Sequence, residues 1–305
     1  MKHKWMIEEL TMRDLRLNTG NIVLQAREYE QAGDAVIFLH FGGGNLMAWQ
    51  RVVPYFQDHF HLILVDLRDH GKSDKPQAGA HIDQMALDVV GVMQQLKLER
   101  AHIVGSSLGA EVGLSVAANY PERVISLVCE GALSSEYGPY STWEGSEDEF
   151  KAYAAQTVAR VRSTPKQVFP SLEALIETSK QTFEKYGWWN QYVEAFQAYD
   201  AFEVRKGQFT HSWQNLAMAE YLEHYFTYRF EEYYKRVKCP VLMLPGEEEF
   251  QNERSKLVMQ GLIQLVRKGK IVAVPGWIHP YGWLINPDEM CKVVFEFLME
   301  VDNEQ

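Results

Sequence analysis

A serine hydroxyl is a poor nucleophile at neutral pH and acts only when a base lies within hydrogen-bond reach, itself oriented by a carboxylate. The stretch His102-Ile103-Val104-Gly105-Ser106-Ser107-Leu108-Gly109-Ala110 offers such a serine at Ser107, with a glycine two residues to either side. Those glycines are what a strand needs if it is to turn sharply into a helix and lift the hydroxyl above the sheet edge, because side chains there would collide. A matching base is His279, in the loop Pro275-Gly276-Trp277-Ile278-His279-Pro280-Tyr281-Gly282-Trp283. It stands five residues beyond the last apolar run of the chain, where a base must stand if it is to reach a serine at the carboxyl edge of a sheet.

These residues need a scaffold, and the hydropathy pattern supplies one. Alternation over 13–17 and 22–29, divided by Asn18-Thr19-Gly20-Asn21, predicts an opening hairpin. Uninterrupted apolar runs at Ala35–Leu39, His61–Val65, Ala101–Val104, Val124–Cys129, Pro240–Leu244 and Lys270–Val274 predict strands covered on both faces. Helical spacing over Ile82–Leu96, Leu108–Asn119, Ser255–Arg267 and the last segment after Asn286-Pro287 falls between or after them. Strands alternating with helices at these intervals call for parallel crossover units. The expected fold is α/β, a mostly parallel eight-stranded sheet flanked by helices. From 134 to 236 the texture changes to long helical patterns, at Phe150–Val161, Ser171–Tyr186 and Trp213–Tyr234, and most of the chain's aromatic residues gather there. This predicts an inserted helical cap over the serine, with residues 1–133 and 237–305 forming the core. Trp143, Trp188, Trp189 and Trp213 are candidates for the walls of a substrate pocket, although packing within the cap is the commoner use of such side chains.

The nucleophile turn and its setting resemble the cap-bearing serine branch of the α/β-hydrolase superfamily, over all but the middle third of the chain. The order serine, acid, histidine is also that of the superfamily. The resemblance implies an acid three residues beyond Gly246, which is Glu249, with Glu247 and Glu248 as neighbouring rivals. Some relatives carry the acid at the end of the sixth strand, here Glu130. It further implies that His40-Phe41-Gly42-Gly43-Gly44 provides one arm of an oxyanion hole, most often the amide two residues past the histidine, Gly42. Phe41 replaces the usual glycine and leaves the donor open among Phe41, Gly42 and Gly43; Phe41 is also a candidate pocket residue. The second arm is expected from Leu108, whose amide follows the nucleophile at a helix N-terminus.

Other chemistries fit less well. Gly71-Lys72-Ser73 suggests a phosphate loop, but the glycine required five positions earlier is Asp66, and the charges of that turn read as structural. His59 and His61 would share one face of a strand, yet no third ligand accompanies them, so no metal and no cofactor are expected. Three scattered cysteines argue for reduced, buried thiols. A net charge of −11 over 305 residues argues against nucleic acid as a partner. The start Met1-Lys2-His3-Lys4-Trp5 lacks an apolar secretory block, and no run of about twenty apolar residues follows, so a cytoplasmic protein without membrane insertion is expected. The expected activity is carboxylic ester hydrolysis through an acyl-enzyme on Ser107, by a monomer or homodimer acting on a small hydrophobic ester-like substrate. Carbon-carbon hydrolysis, lactone opening and cofactor-free perhydrolysis use the same apparatus. The reading from another class is a non-catalytic hydrolase-like binder of a small ligand.

Overall fold

The computed structural model describes residues 12–131 and 134–304. The segment 1–11, on which the expectation of a leaderless start rests, lies outside the described residues, as do Ala132 and Leu133 at the expected junction of core and cap. The first half of the chain runs β1 (Met12–Asn18), β2 (Val23–Tyr29), β3 (Ala35–Leu39), α1 (Val53–Phe56), β4 (His61–Val65), α2 (Ile82–Gln95), β5 (Ala101–Ser106), α3 (Leu108–Asn119) and β6 (Val124–Glu130). Then come α4 (Glu147–Ser163), α5 (Leu172–Glu184), α6 (Gln191–Asp200), β7 (Ala201–Arg205), β8 (Gln208–His211), α7 (Asn215–Tyr225) and α8 (Phe230–Tyr234). The chain closes with β9 (Val241–Leu244), α9 (Glu247–Gln251), α10 (Glu253–Ile263), β10 (Gly269–Ile271), α11 (Gly282–Ile285) and α12 (Asp288–Asn303).

Eight strands form one sheet in the order β1-β2-β4-β3-β5-β6-β9-β10. Only β2 runs antiparallel to its neighbours; every pairing from β4 to β10 is parallel. The central strands β3, β5, β6 and β9 are buried along their whole length, which is why they read as unbroken apolar runs rather than alternations. One face is covered by α2, α3 and α8, the other by α1, α11 and α12, giving two separate apolar cores. Register brings the carboxyl ends of the middle strands level: Leu39 lies beside Gly105, Ser106 beside Glu130, and Glu130 beside Leu244. A side chain from the end of β6 is thereby set next to the nucleophile turn.

Between β6 and β9 come α4 to α8 and an antiparallel hairpin, β7–β8. The hairpin was not foreseen in the sequence, because β7 is exposed along nearly all its length and carries no burial period; Gly207, at φ +74°, makes its tight turn. Ser146, Ser171 and Asn190 start α4, α5 and α6 by accepting backbone amides, the first in a reciprocal capping box with Glu149. The long helical pattern expected up to Tyr234 is divided into α7 and α8. Polar ties fix this layer to the core: Tyr199 to Asp66 at 2.9 Å, Tyr221 to Glu111 at 2.9 Å, Tyr233 to Asp83 at 3.1 Å, and the Gly71 amide to Ser212 at 3.0 Å. No helix among the described residues is long and apolar enough to cross a membrane.

Candidate active site

Ser107 joins β5 to α3 with φ +49° and ψ −117°, a backbone state that non-glycine residues rarely occupy. Holding a residue there costs about 1–3 kcal/mol, which the surrounding packing must offset. That packing explains the two glycines. A Cβ on Gly105 would lie 2.4 Å from the Gly109 carbonyl oxygen, and one on Gly109 would lie 2.0 Å from the oxygen of Leu39. The turn is thus clamped against the end of β3. The Ser107 amide donates to the Glu130 carbonyl at 2.7 Å, while its own carbonyl accepts from Ala110 and Glu111 at 2.8 and 3.0 Å, starting α3.

The imidazole of His279 meets the same residue from the other side. Its Nδ1 lies 2.6 Å from Glu130 Oε1, and the carboxylate is completely buried. Glu130 also accepts from the indole N–H of Trp277 at 2.7 Å, from that of Trp283 at 3.2 Å, and from the Ser106 hydroxyl. Burial by itself would raise the Glu130 pKa; the adjoining His279 charge and the hydrogen bonds from His279, Ser106 and Trp277 outweigh it and hold the carboxyl below its ordinary range. Burial likewise disfavours a charged His279, but the Glu130 hydrogen bond and the charges of Glu130 and Glu249 raise its pKa above the usual value. The ring lies over Gly131, where a Cβ would approach Cε1 to 2.9 Å.

The carboxylate hydrogen-bonded to the imidazole is therefore that of Glu130, whereas the sequence expectation placed this partner at Glu249. Glu249 stands in the first turn of α9, half-buried, and acts on His279 through its charge. Its neighbour Glu247 accepts the Gly276 amide at 2.8 Å and so ties down the histidine loop. Trp277, Trp283 and Ser106 were not singled out as site residues. The only signal for the two indoles is their position, two before and four after His279.

On the other side of the turn lies the glycine loop. Two buried histidines brace it: His40 has Nδ1 2.8 Å from the Phe41 oxygen and accepts the Leu67 amide on Nε2, and His70 has Nδ1 2.8 Å from the Arg68 oxygen and accepts the Gly43 amide on Nε2. Each ring thus carries its proton on Nδ1 and is neutral; burial pushes the His40 pKa down to about 4 and that of His70 well below its usual value. Because the Gly43 amide is committed to His70, the oxyanion donors open to this loop reduce to Phe41 and Gly42. A Cβ on Gly42 would point within 3.8 Å of the Leu108 Cβ, so the two expected donors, Gly42 and Leu108, are neighbours. In the following turn Asp66 accepts the amides of Leu46 and Lys72 at 2.6 and 2.8 Å and Arg68 forms a buried bidentate pair with Asp88, while Asp69 Oδ2 is buried without a hydrogen-bond partner.

Above the glycine loop is a cavity of about 360 Å³. Gly43, Phe183, Phe196, Trp213 and Tyr281 line it together with the polar side chains of Gln167, Asp200 and His211. Trp213 packs against Gly42 and stacks on His70 with ring centroids 4.7 Å apart. Phe41 is buried between Phe196 and Tyr281. Trp143 lies elsewhere, in an outer cluster with Phe150 and Tyr153, and Trp189 packs beside the core on the α12 face; neither lines this cavity. As for metals, His61 pairs with Glu28 at 2.8 Å and His59 stacks edge-on to Phe295. A grouping of Asp34, His102 and Asp302 occurs at the opposite end of β5 from Ser107, with both His102 nitrogens already hydrogen-bonded, to Ser126 and Asp302.

The chain is similar to known hydrolases. The 2-(acetamidomethylene)succinate hydrolase of Mesorhizobium japonicum is 26% identical, over 93% of this chain and 94% of that one. A crystal structure of E-2-(acetamidomethylene)succinate hydrolase superimposes with a TM-score of 0.73 at 24% identity, covering 94% of this chain and 99% of the other, a likeness of fold. The 3-oxoadipate enol-lactonase 2 of Acinetobacter baylyi is 28% identical over 157 residues, 52% of this chain and 56% of the relative, so that match spans only about half of either protein. The family model for the alpha/beta hydrolase fold matches residues 34–264, from the start of β3 through α10. With the strand order, the strained serine turn and this match in hand, the chain belongs to the α/β-hydrolase fold family.

Proposed function

We propose that the protein is a serine hydrolase in which Ser107 attacks a carbonyl, His279 takes its proton and returns it to the leaving group, and Glu130 holds and stabilises the imidazolium. The observation that carries this reading is the 2.6 Å contact between His279 Nδ1 and the buried Glu130 carboxylate, formed at the residue whose backbone oxygen also receives the Ser107 amide. With Nδ1–H committed to Glu130, Nε2 is the basic nitrogen. The negative oxygen of the tetrahedral intermediate is received by the amides of Leu108 and Gly42, each such donor contributing roughly 3–4 kcal/mol to the transition state. Water then cleaves the acyl-enzyme with His279 as base.

Ester hydrolysis is the default reaction, and opening of a lactone is the second reading, favoured by the likeness to an enol-lactonase. Both use a carbonyl bearing an oxygen leaving group and no cofactor. We place the protein in the cytoplasm, acting on a small ester-like molecule as a monomer or homodimer. The test is a fluorophosphonate probe. Labelling that requires Ser107 and is lost in His279→Ala supports the enzyme, and folded protein that resists the probe refutes it in favour of a non-catalytic ligand binder. A panel of activated esters and lactones graded in acyl length then separates the two reactions.

A further inference from the structure

Three of the donors that converge on the Glu130 carboxylate come from one short stretch, 277–283. Trp277 and His279 both place an N–H on Oε1, at 2.7 and 2.6 Å, while Trp283 donates to Oε2 at 3.2 Å beside the Ser106 hydroxyl. None of these donors belongs to a lysine or arginine. The stretch is closed on itself: the two indoles meet edge to face with centroids 4.8 Å apart, a Cβ on Gly282 would lie 2.6 Å from the Trp277 ring, and Trp283 is backed by Trp49 at 5.0 Å. Both indoles are buried, so an N–H turned away from the carboxylate would lose its partner inside the protein.

A hydrogen bond to a carboxylate is strongest while the charge on its oxygens is uncompensated. That is the resting pair, with Glu130 anionic and His279 neutral. Once the pair takes up a proton, the imidazolium balances the carboxylate and the oxygens attract the indoles less. The indoles therefore favour the resting pair, whereas the carboxylate by itself favours a charged ring. Trp277 has the larger effect because it shares Oε1 with the imidazole; Trp283 is more distant and bonds the other oxygen. We propose that Trp277, seconded by Trp283, is a positioning residue that limits how tightly Glu130 binds the proton of His279, and so keeps Nε2 free to act as a base at neutral pH. The other groups facing the pair are the Ser106 hydroxyl at the end of β5 and, on α9, Glu249, whose charge pulls the opposite way; Glu247 of the same helix is turned to the Gly276 amide. The inference rests on the serine-hydrolase reading above and names what tunes the base of that site.

The experiment removes the N–H in two ways, by Trp277→Phe and by replacing Trp277 with 3-benzothienylalanine, which keeps the shape of the indole, puts sulfur where the N–H was and leaves no gap for a water. With a 4-nitrophenyl ester as substrate, the acidic limb of kcat/KM is expected to rise by about half a pH unit in both, about threefold in proton affinity. Trp283→Phe should shift it the same way by less, and Glu130→Gln the opposite way. Indoles that merely packed the loop would lower kcat or the melting temperature without raising the limb. A limb that stays in place or falls in the benzothienyl protein overturns the proposal, and that protein decides the matter if Trp277→Phe does not fold. Failure of the hydrolase reading is separable: the ester is not turned over and the fluorophosphonate does not label Ser107. Titration of the His279 ring by NMR then decides, a higher pKa in the benzothienyl protein than in the wild type upholding the proposal and an equal or lower one overturning it.

Discussion

Exchanging the carboxylate of residue 130 for an amide tests the assignment of the triad acid most directly. In Glu130→Gln, shape is kept and charge is lost. The side chain faces four donors: His279 Nδ1 and Trp277 Nε1 on Oε1, and Ser106 Oγ and Trp283 Nε1 on Oε2. An amide offers one acceptor face, so its NH₂ must oppose one of these pairs. Turned toward His279 and Trp277 it would confront two short contacts, the indole at 2.7 Å included, and would hold the imidazole in the tautomer that cannot accept the serine proton. Turned toward Ser106 and Trp283 it costs less, because the serine hydroxyl can rotate to accept and only the Trp283 N–H, the longest contact at 3.2 Å, is orphaned. That orphan costs about 1–3 kcal/mol of stability. The larger effect is kinetic. The imidazolium formed in the transition state loses its buried counter-charge, and a loss of about 10³ to 10⁴ in kcat is expected, equivalent to about 4–5.5 kcal/mol.

The pH profile gives an independent reading of the same variant. The base works when neutral, and Glu130 raises the His279 pKa, so the acidic limb of kcat/KM in the wild type is expected above the ordinary histidine value and should move to lower pH in Glu130→Gln. The control is Glu249→Gln, which removes a second charge acting on His279: the limb moves down slightly and kcat falls less than about tenfold. Measured on 4-nitrophenyl esters with folding checked by thermal melts, a larger kcat loss in Glu249→Gln than in Glu130→Gln would refute the assignment and return the acid to α9.

Three further outcomes follow from the geometry. Ser107→Gly should abolish turnover yet raise the unfolding midpoint by a few degrees in calorimetry, because glycine tolerates φ +49° and relieves strain of about 1 kcal/mol or more. Gly109→Ala should leave no folded protein on expression, since the added Cβ would sit 2.0 Å from the Leu39 oxygen with backbone on both sides. Stability measured by urea titration should decline as pH falls from 6.5 to 4: His40 is buried neutral with its pKa at about 4, the unfolded chain takes up the proton that the native site refuses, and this residue alone accounts for about 3 kcal/mol of the loss at pH 4. His40→Gln should flatten that dependence, and an unchanged slope would remove His40 as its source.

The parts of this molecule legible in one dimension are those set by local sterics and by burial of whole elements. Strands covered on both faces announce themselves as apolar runs, and the glycine spacing around Ser107 reports a turn that no side chain can enter. The place of His279 at the carboxyl edge of the sheet was legible for a similar reason, since it follows the last strand, and its ring meets the end of β6. The hairpin β7–β8 was not legible, because an exposed ribbon carries no period of burial. The partner of the imidazole was also beyond sequence reading. Glu130 ends one parallel strand and Glu249 follows another at the same sheet edge, and nothing local distinguishes them. The tertiary structure distinguishes them through register, by setting the end of β6 beside Ser106, and through two indoles from the histidine loop that satisfy a fully buried carboxylate. Removing a charge from water is tolerable only where several donors converge from distant segments, and convergence of that kind is a property of the folded chain, not of its order.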